Sequence, residues 1–103
     1  MFRRRRFGDA ISRQLDLFER DHAGLIRECH EAKAAYNRAE RDEAEERFGD
    51  YQDLVETATE TLADLRDSFA STLDDGAGDE YERAFNRAVA KRLPQFALEI
   101  ENR

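Results

Sequence analysis

Residues 11–39 read ISRQLDLFERDHAGLIRECHEAKAAYNRA, and the spacing of apolar side chains in this stretch decides the fold. Its seam residues follow one another at alternating steps of four and three: Ile11, Leu15, Phe18, His22, Leu25, Cys29, Ala32, Tyr36 and Ala39. A second run has the same spacing: Tyr51, Val55, Ala58, Leu62, Leu65 and Phe69. Such steps keep one stripe of a helix facing a partner helix, as in coiled coils. The sequence therefore predicts two long amphipathic helices packed along this seam.

Capping residues and glycines predict where these helices begin and end. Asp9 suits an N-cap, because its carboxylate can accept hydrogen bonds from the free amides of the first turn. From Asp9 to Arg47 no proline interrupts the chain, so we expect one helix of about 58 Å. Gly49 suits the residue that ends this helix, and Asp50 can cap a second helix that reaches Leu73.

The remaining chain predicts a shorter third helix and a C-terminal segment. Residues 74–78, DDGAG, are predicted to form a loop, and Asp79 with Glu82 forms a capping-box-like start. Pro94 is predicted to stop this helix, with a short terminal helix beginning there. The predicted fold is all-α: a long antiparallel helical hairpin with a third shorter helix (a three-helix bundle with coiled-coil-like packing) and a short C-terminal segment. Residues 1–8 are predicted to be a flexible basic arm, and residues 9–103 a single helical domain.

Composition narrows the class of protein. Of 103 residues, 40% are charged, the net charge is −7, and the acidic residues are concentrated in the middle of the chain. An acidic body repels nucleic acid, which confines any polyanion contact to the basic ends. The single cysteine fits a reducing cytoplasm, and no apolar run is long enough for a membrane span.

The N-terminal arginine cluster, Arg3, Arg4, Arg5 and Arg6, is the sharpest functional candidate in the sequence. Arginine forks bind phosphate, and the flanking phenylalanines could stack on bases or enter a membrane interface. Alternatively, the cluster folds back on the acidic body of its own or a neighbouring molecule. The sequence leaves these alternatives open.

Neither a cofactor site nor a catalytic site is predicted. His22 and Cys29 share the seam, but His30 points aside, so the three cannot meet on one metal ion. We therefore predict that Cys29 is a core residue and that His22 is a buried polar residue that fixes the register. The acidic loop after Asp74 lacks the ligand spacing of a calcium site. No nucleophile–base pair or phosphate-binding glycine loop is evident, so no enzyme activity is predicted.

The predicted helix lengths point to a partner. A second helix of about 36 Å is too short to cover a first helix of about 58 Å. Four seam residues would lie beyond its end and would be exposed to water unless another helix packs on them: Ile11, Leu15, Phe18 and His22. We therefore predict a non-catalytic helical interaction or adaptor module that self-associates, with a homodimer favoured, or docks on a protein partner. The alternative is a small accessory factor that contacts nucleic acid or ribosomal RNA through the arginine cluster.

Overall fold

The structure, a computed structural model, describes residues 6–103, which form five α-helices and one 3-10 helix. In chain order they are α1 (Gly8–Asp21), α2 (Ala23–Arg38), α3 (Ala44–Ala70), α4 (Asp75–Arg92), a 3-10 helix (Pro94–Phe96) and α5 (Ala97–Glu101). No β-strand occurs in this part of the chain, so the all-α prediction is confirmed. The description as a hairpin with one further helix is not, because five helices pack together.

The predicted long first helix is wrong, because the chain bends at His22. This residue has φ −123° and ψ 30° and separates α1 from α2. The bend costs few backbone hydrogen bonds: the His22 amide still donates to Phe18 O at 2.9 Å, and His22 O accepts from the Ile26 amide at 3.0 Å. The predicted N-cap is also displaced, since α1 begins at Gly8 and Asp9 lies in its first turn.

The turn of the hairpin lies earlier than predicted. Helices α2 and α3 pack side by side and are joined by residues 39–43, where Ala39 is extended (φ −68°, ψ 143°). Gly49 lies inside α3 and does not have a positive φ, so it does not end a helix. Residues 44–49 therefore belong to the second arm of the hairpin instead of the first.

The third predicted helix begins four residues earlier than Asp79. Asp74 caps α4, because its Oδ1 accepts a hydrogen bond from the Ala77 amide at 2.9 Å. A Cβ at Gly78 would lie 3.2 Å from the carbonyl oxygen of Ala70, so glycine lets α4 start close to the end of α3. The predicted end is confirmed, since α4 stops at Arg92 and Pro94 opens the short terminal helices.

The core lies where all five helices meet. Its buried apolar residues are Ile11, Leu15, Phe18, Cys29, Val55, Ala58, Leu62, Ala63, Ala70, Tyr81, Phe85, Val89, Leu93, Phe96 and Ile100. The predicted bare stripe on the first helix is wrong for three of its four residues. Ile11, Leu15 and Phe18 are at most 5% exposed, because α1 packs against α4. The Phe18 ring also meets Phe96 edge to face at 6.2 Å.

A buried arginine of α3 connects the C-terminal segment to the rest of the fold by hydrogen bonds. Arg66 is 2% exposed, and its guanidinium donates to Ile100 O at 3.2 Å and Arg103 O at 2.9 Å. It also donates to Asn86 Oδ1 at 3.0 Å and to Asp67 Oδ1 at 2.8 Å. One side chain of α3 thus holds α4 and α5 together.

Candidate functional site

An apolar groove of about 530 Å³ lies between α1 and α4. Ile11 and Leu15 of α1 form its bottom, and Ala84 and Ala88 of α4 form the opposite wall. Each pair is spaced by four residues, so its members lie one turn apart on the same helix face. The two alanines leave a depression between the helix backbones. Its volume falls within the range of about 300–1,000 Å³ that is usual for ligand sites.

Two consecutive, partly buried hydrogen bonds connect α1 to α4 and α3. The Tyr81 hydroxyl of α4 donates to Gln14 Oε1 of α1, and Gln14 Nε2 donates to the carbonyl of Leu65 in α3 at 3.0 Å. Phe7 and Phe69 pack edge-on against the Tyr81 ring, at 5.3 and 4.6 Å between centroids. Burial raises the pKa of Tyr81 to about 12. The hydroxyl therefore stays protonated and keeps donating above pH 10, where an ordinary tyrosine ionises.

Four basic side chains line the groove: Arg6, Arg87, Lys91 and Arg92. Arg92 is held by carboxylates of α1, because its Nη2 donates to Glu19 Oε1 at 2.6 Å and also to Asp16. Hydrogen bonds to Glu19 and then Asp16 raise the pKa of Arg92. This cation helps to join α1 to α4 and is already neutralised.

Two of the groove cations are not neutralised in this way. Arg87 and Lys91 are exposed and form no ion pair with any residue from 6 to 103. Together with Arg83 they form a stripe at steps of four residues along α4, about 12 Å long. Cations near the C-terminal end of a helix also complement its dipole. Arg87 and Lys91, however, also border an apolar groove. A helix face that contacts only water does not require such a neighbour.

The predicted arginine cluster is only partly described. Arg3, Arg4 and Arg5 lie outside the described residues, so the structure does not bear on their role. Arg6 forms an ion pair with Glu80 of α4, with 3.0 Å between Nη1 and Oε1. Phe7 also contacts α4, through the ring of Tyr81, and Gly8 is the first residue of α1.

The predicted partner surface is divided between three places. Ile11 and Leu15 line the groove, although their side chains are almost fully covered. Phe18 is in the core. His22 is partly exposed at the bend, so the prediction of a buried His22 is wrong; its ring lies 5.4 Å from that of Phe18. Ile11, Leu15 and Phe18 thus pack against the chain's own helices, whereas His22 does not enter the core.

A second surface is the hairpin tip, which we define as residues 36–53. No residue between Cys29 and Val55 is buried, so this part of the hairpin extends beyond the core. Phe48 at the tip is 45% exposed and contacts only one other ring, that of Tyr36 at 5.3 Å. The tip contains seven acidic residues and three arginines. It therefore combines an exposed aromatic side chain with excess negative charge.

The remaining titratable candidates do not form a reactive site. Cys29 is buried in the core, as its seam position predicts, and burial, followed by the charge of Glu28, raises the pKa of its thiol. A thiol in this environment is protonated and unreactive. His30, by contrast, is exposed. Among residues 6–103, no group of three or more His, Cys, Asp or Glu side chains is placed to hold a metal ion.

Comparison of the chain with protein-family models, with curated proteins and with solved structures finds no match. None of the helices in residues 6–103 is both long enough and apolar enough to span a membrane. The function must therefore be inferred from the groove and the hairpin tip themselves.

Proposed function

We propose that this protein is a non-catalytic helical interaction module whose α1–α4 groove holds an amphipathic helix with an acidic flank. One observation carries this proposal: the apolar groove is bordered by two cations, Arg87 and Lys91, that have no ionic partner within residues 6–103. Amphipathic helices bind by laying their apolar face into such grooves. Charges beside an apolar seam then select the partner.

The two parts of the groove would contribute differently to binding. The apolar bottom favours any partner that brings hydrophobic side chains, because their burial removes apolar surface from water. Arg87 and Lys91 lie at the solvated rim, where ion pairs add specificity and association rate more than affinity. An acidic flank on the partner would meet both cations, whereas a basic flank would be repelled.

We also propose a cytoplasmic location. The single cysteine, Cys29, is buried in the core and has no second cysteine to pair with in this chain. A reducing compartment would keep its thiol free.

Selection from a displayed library of helical peptides would test the groove. We expect the bound peptides to combine apolar residues at helical spacing with acidic residues beside them. The double variant Arg87→Glu/Lys91→Glu should lose at least about tenfold in affinity for these peptides, or about 1.4 kcal/mol. The control Arg13→Glu/Arg27→Glu makes the same charge change at exposed arginines outside the groove and should bind like the wild type.

Two results would contradict this function. One is the selection of peptides without acidic enrichment. The other is an equal loss of affinity in both double variants, because that would reflect net charge instead of the groove.

Contact with nucleic acid is a second candidate, favoured by one observation. Arg6, the described residue of the N-terminal cluster, lies at the groove with Arg87 and Lys91. If these cations bind phosphates, RNA affinity should fall by about 0.7–0.9 log units per contact for each tenfold rise in salt. The variant Arg87→Glu/Lys91→Glu should then bind RNA more weakly. Deletion of residues 1–5 should have a similar effect, and it spares Phe7. RNA binding unchanged in both variants would exclude this candidate.

A further inference from the structure

On the basis of the function proposed above, we propose that the occupant of the α1–α4 groove is the hairpin tip of a second copy of this chain. Each molecule carries both surfaces: an apolar groove with unpaired cations and an acidic tip with an exposed aromatic side chain. The tip cannot reach the groove of its own molecule, because Phe48 belongs to a continuous helix, α3, whose later turns are fixed in the core. The contact must therefore form between molecules.

The tip is accessible because it projects beyond the rest of the fold. Pro94 and Gln95 line a cleft with Tyr51, so the chain leaves α4 near this level of α3. Residues 36–50 continue past that level, in agreement with the elongated shape of 53 × 27 × 24 Å. The first turns of α3 therefore extend beyond the core, where a neighbouring molecule can reach them.

Phe48 has the properties of an anchor residue. It lies one turn into α3 and is among the few large apolar side chains left exposed in residues 6–103. Aromatic anchors that fill a depression dominate many interfaces. In the groove the depression exists because Ala84 and Ala88 are small, so an aromatic ring from outside has space between α1 and α4.

The charges on the two surfaces are complementary. Glu45 and Glu46 flank Phe48 within one turn, and neither forms an ion pair with a described residue. Arg87 and Lys91 flank the groove one turn apart and are equally unpaired. Docking of Phe48 would bring Glu45, which lies three residues before it on the same side of α3, to the rim beside Arg87 and Lys91.

The net charge of −7 favours this arrangement over others. Two copies repel each other wherever their acidic faces meet, and such repulsion suppresses alternative contacts. The basic stripe on α4 is the exception, so an acidic tip is attracted to that place on a neighbour. The same reasoning predicts that association weakens as salt screens the charges, over a range of about 50 to 500 mM.

A tip-in-groove contact is heterologous, because the two molecules use different surfaces. A pair joined by one such contact still has one free tip and one free groove, so assembly can continue into a ring or a chain. The contact involves only one or two helical turns and is smaller than a standard interface, so we expect a dissociation constant of roughly hundreds of micromolar.

Two variants, one that changes the groove and one that changes the tip, provide the test. Arg87→Glu/Lys91→Glu removes the groove cations. Phe48→Ala removes the anchor side chain, and it should preserve α3 because alanine is a strong helix former. Light scattering at low salt, up to about 500 μM protein, should show the wild-type mass rising with concentration above the monomer value of 12.0 kDa. Each variant alone should remain a monomer. Circular dichroism should show that both keep the helicity of the wild type.

Mixing the two variants gives the sharper result. The groove variant retains a working tip, and the tip variant retains a working groove, so one contact per pair remains. The mixture should form a species of twice the monomer mass, and nothing larger. The controls Arg13→Glu/Arg27→Glu and Leu98→Ala change exposed residues outside both surfaces and should associate like the wild type.

A wild-type protein that stays monomeric over the whole concentration range would overturn the inference. So would a mixture that does not dimerise, or variants that associate as the wild type does. None of these results would remove the proposed function, because an acidic peptide from another protein could still bind the groove and lose affinity in the Arg87→Glu/Lys91→Glu variant. Failure of the peptide selection would overturn both.

Discussion

Replacement of Arg66 by methionine should destabilise this protein more than an ordinary surface mutation can. Arg66 is a fully buried cation of α3, and two of its hydrogen bonds end on backbone oxygens of the C-terminal segment, Ile100 O and Arg103 O. Methionine is unbranched and fills much of the same space, so Arg66→Met removes the donors without opening a large cavity. The groups that accepted from Arg66 remain behind.

The expected cost follows from the groups left without a donor. Ile100 is fully buried, and Asn86 is partly buried, so Ile100 O and Asn86 Oδ1 each lose a hydrogen bond where water reaches poorly. An unsatisfied buried acceptor costs about 1–3 kcal/mol. Asp67 is exposed and should recover its loss from water. With two such acceptors we therefore expect a loss of about 2–6 kcal/mol, a large share of the 5–15 kcal/mol that stabilises a typical domain.

Urea unfolding followed by circular dichroism would measure this loss. With a slope of about 1–3 kcal/mol per molar urea, the midpoint should fall by roughly 2 M. Arg66→Lys keeps the charge but not the planar guanidinium, so its urea midpoint should lie between those of the wild type and Arg66→Met. The control Arg83→Met, at an exposed position of α4, should stay within about 0.5 kcal/mol of the wild type. Hydrogen exchange of the α5 amides should accelerate in Arg66→Met alone. An Arg66→Met midpoint equal to that of Arg83→Met would refute this reasoning.

Three further predictions concern glycine, tyrosine and cysteine positions. Gly49→Ala should stabilise the protein by about 0.5–1 kcal/mol, because Gly49 lies inside α3 with no atom within 4 Å of an added Cβ. Gly78→Ala should not stabilise the protein, because the added Cβ would lie only 3.2 Å from Ala70 O. The urea midpoints of the two variants, compared with that of the wild type, would test both predictions. A loss of stability in Gly49→Ala would contradict the place of Gly49 inside a helix. Stability should fall between pH 10 and 12, since the folded-state pKa of Tyr81 is raised to about 12 and the neutral hydroxyl is the bound form. This fall should be smaller in Tyr81→Phe, and an identical pH profile in the variant would contradict it. Burial raises the pKa of Cys29, so its thiol should react slowly with a disulfide reagent in native buffer and rapidly in urea; equal rates would show that it is accessible.

The core and the helical class could be predicted from the sequence, because both depend on local periodicity. Steps of three and four residues identified Ile11, Leu15, Phe18, Cys29 and the α3 seam as side chains that face one core. The same steps could not reveal the bend at His22. Only one residue leaves the helical conformation there, so the spacing of the seam is the same in a bent chain as in a straight one.

The groove was missed for a related reason. Arg87 and Lys91 are far from Ile11 and Leu15 in sequence, and only the packing of α1 on α4 makes them neighbours. One signal was present in the sequence: the cations at 83, 87 and 91 lie at steps of four on a predicted helix. That signal could indicate a basic stripe, but not what the stripe borders.

The sequence by itself determined that this protein is helical, that Ile11, Leu15, Phe18 and Cys29 enter its core, and that charge is unevenly distributed along it, since each depends on residues a few positions apart. Only the tertiary structure decided that α1 covers its own apolar stripe by turning onto α4, and that Arg66 is buried. An arginine is ordinarily placed at the surface, because desolvation of a charge is costly. Here the cost is offset by acceptors from Asn86, Ile100 and Arg103 that converge on one guanidinium. Such convergence depends on contacts between residues 20 to 37 positions apart, which no local pattern encodes.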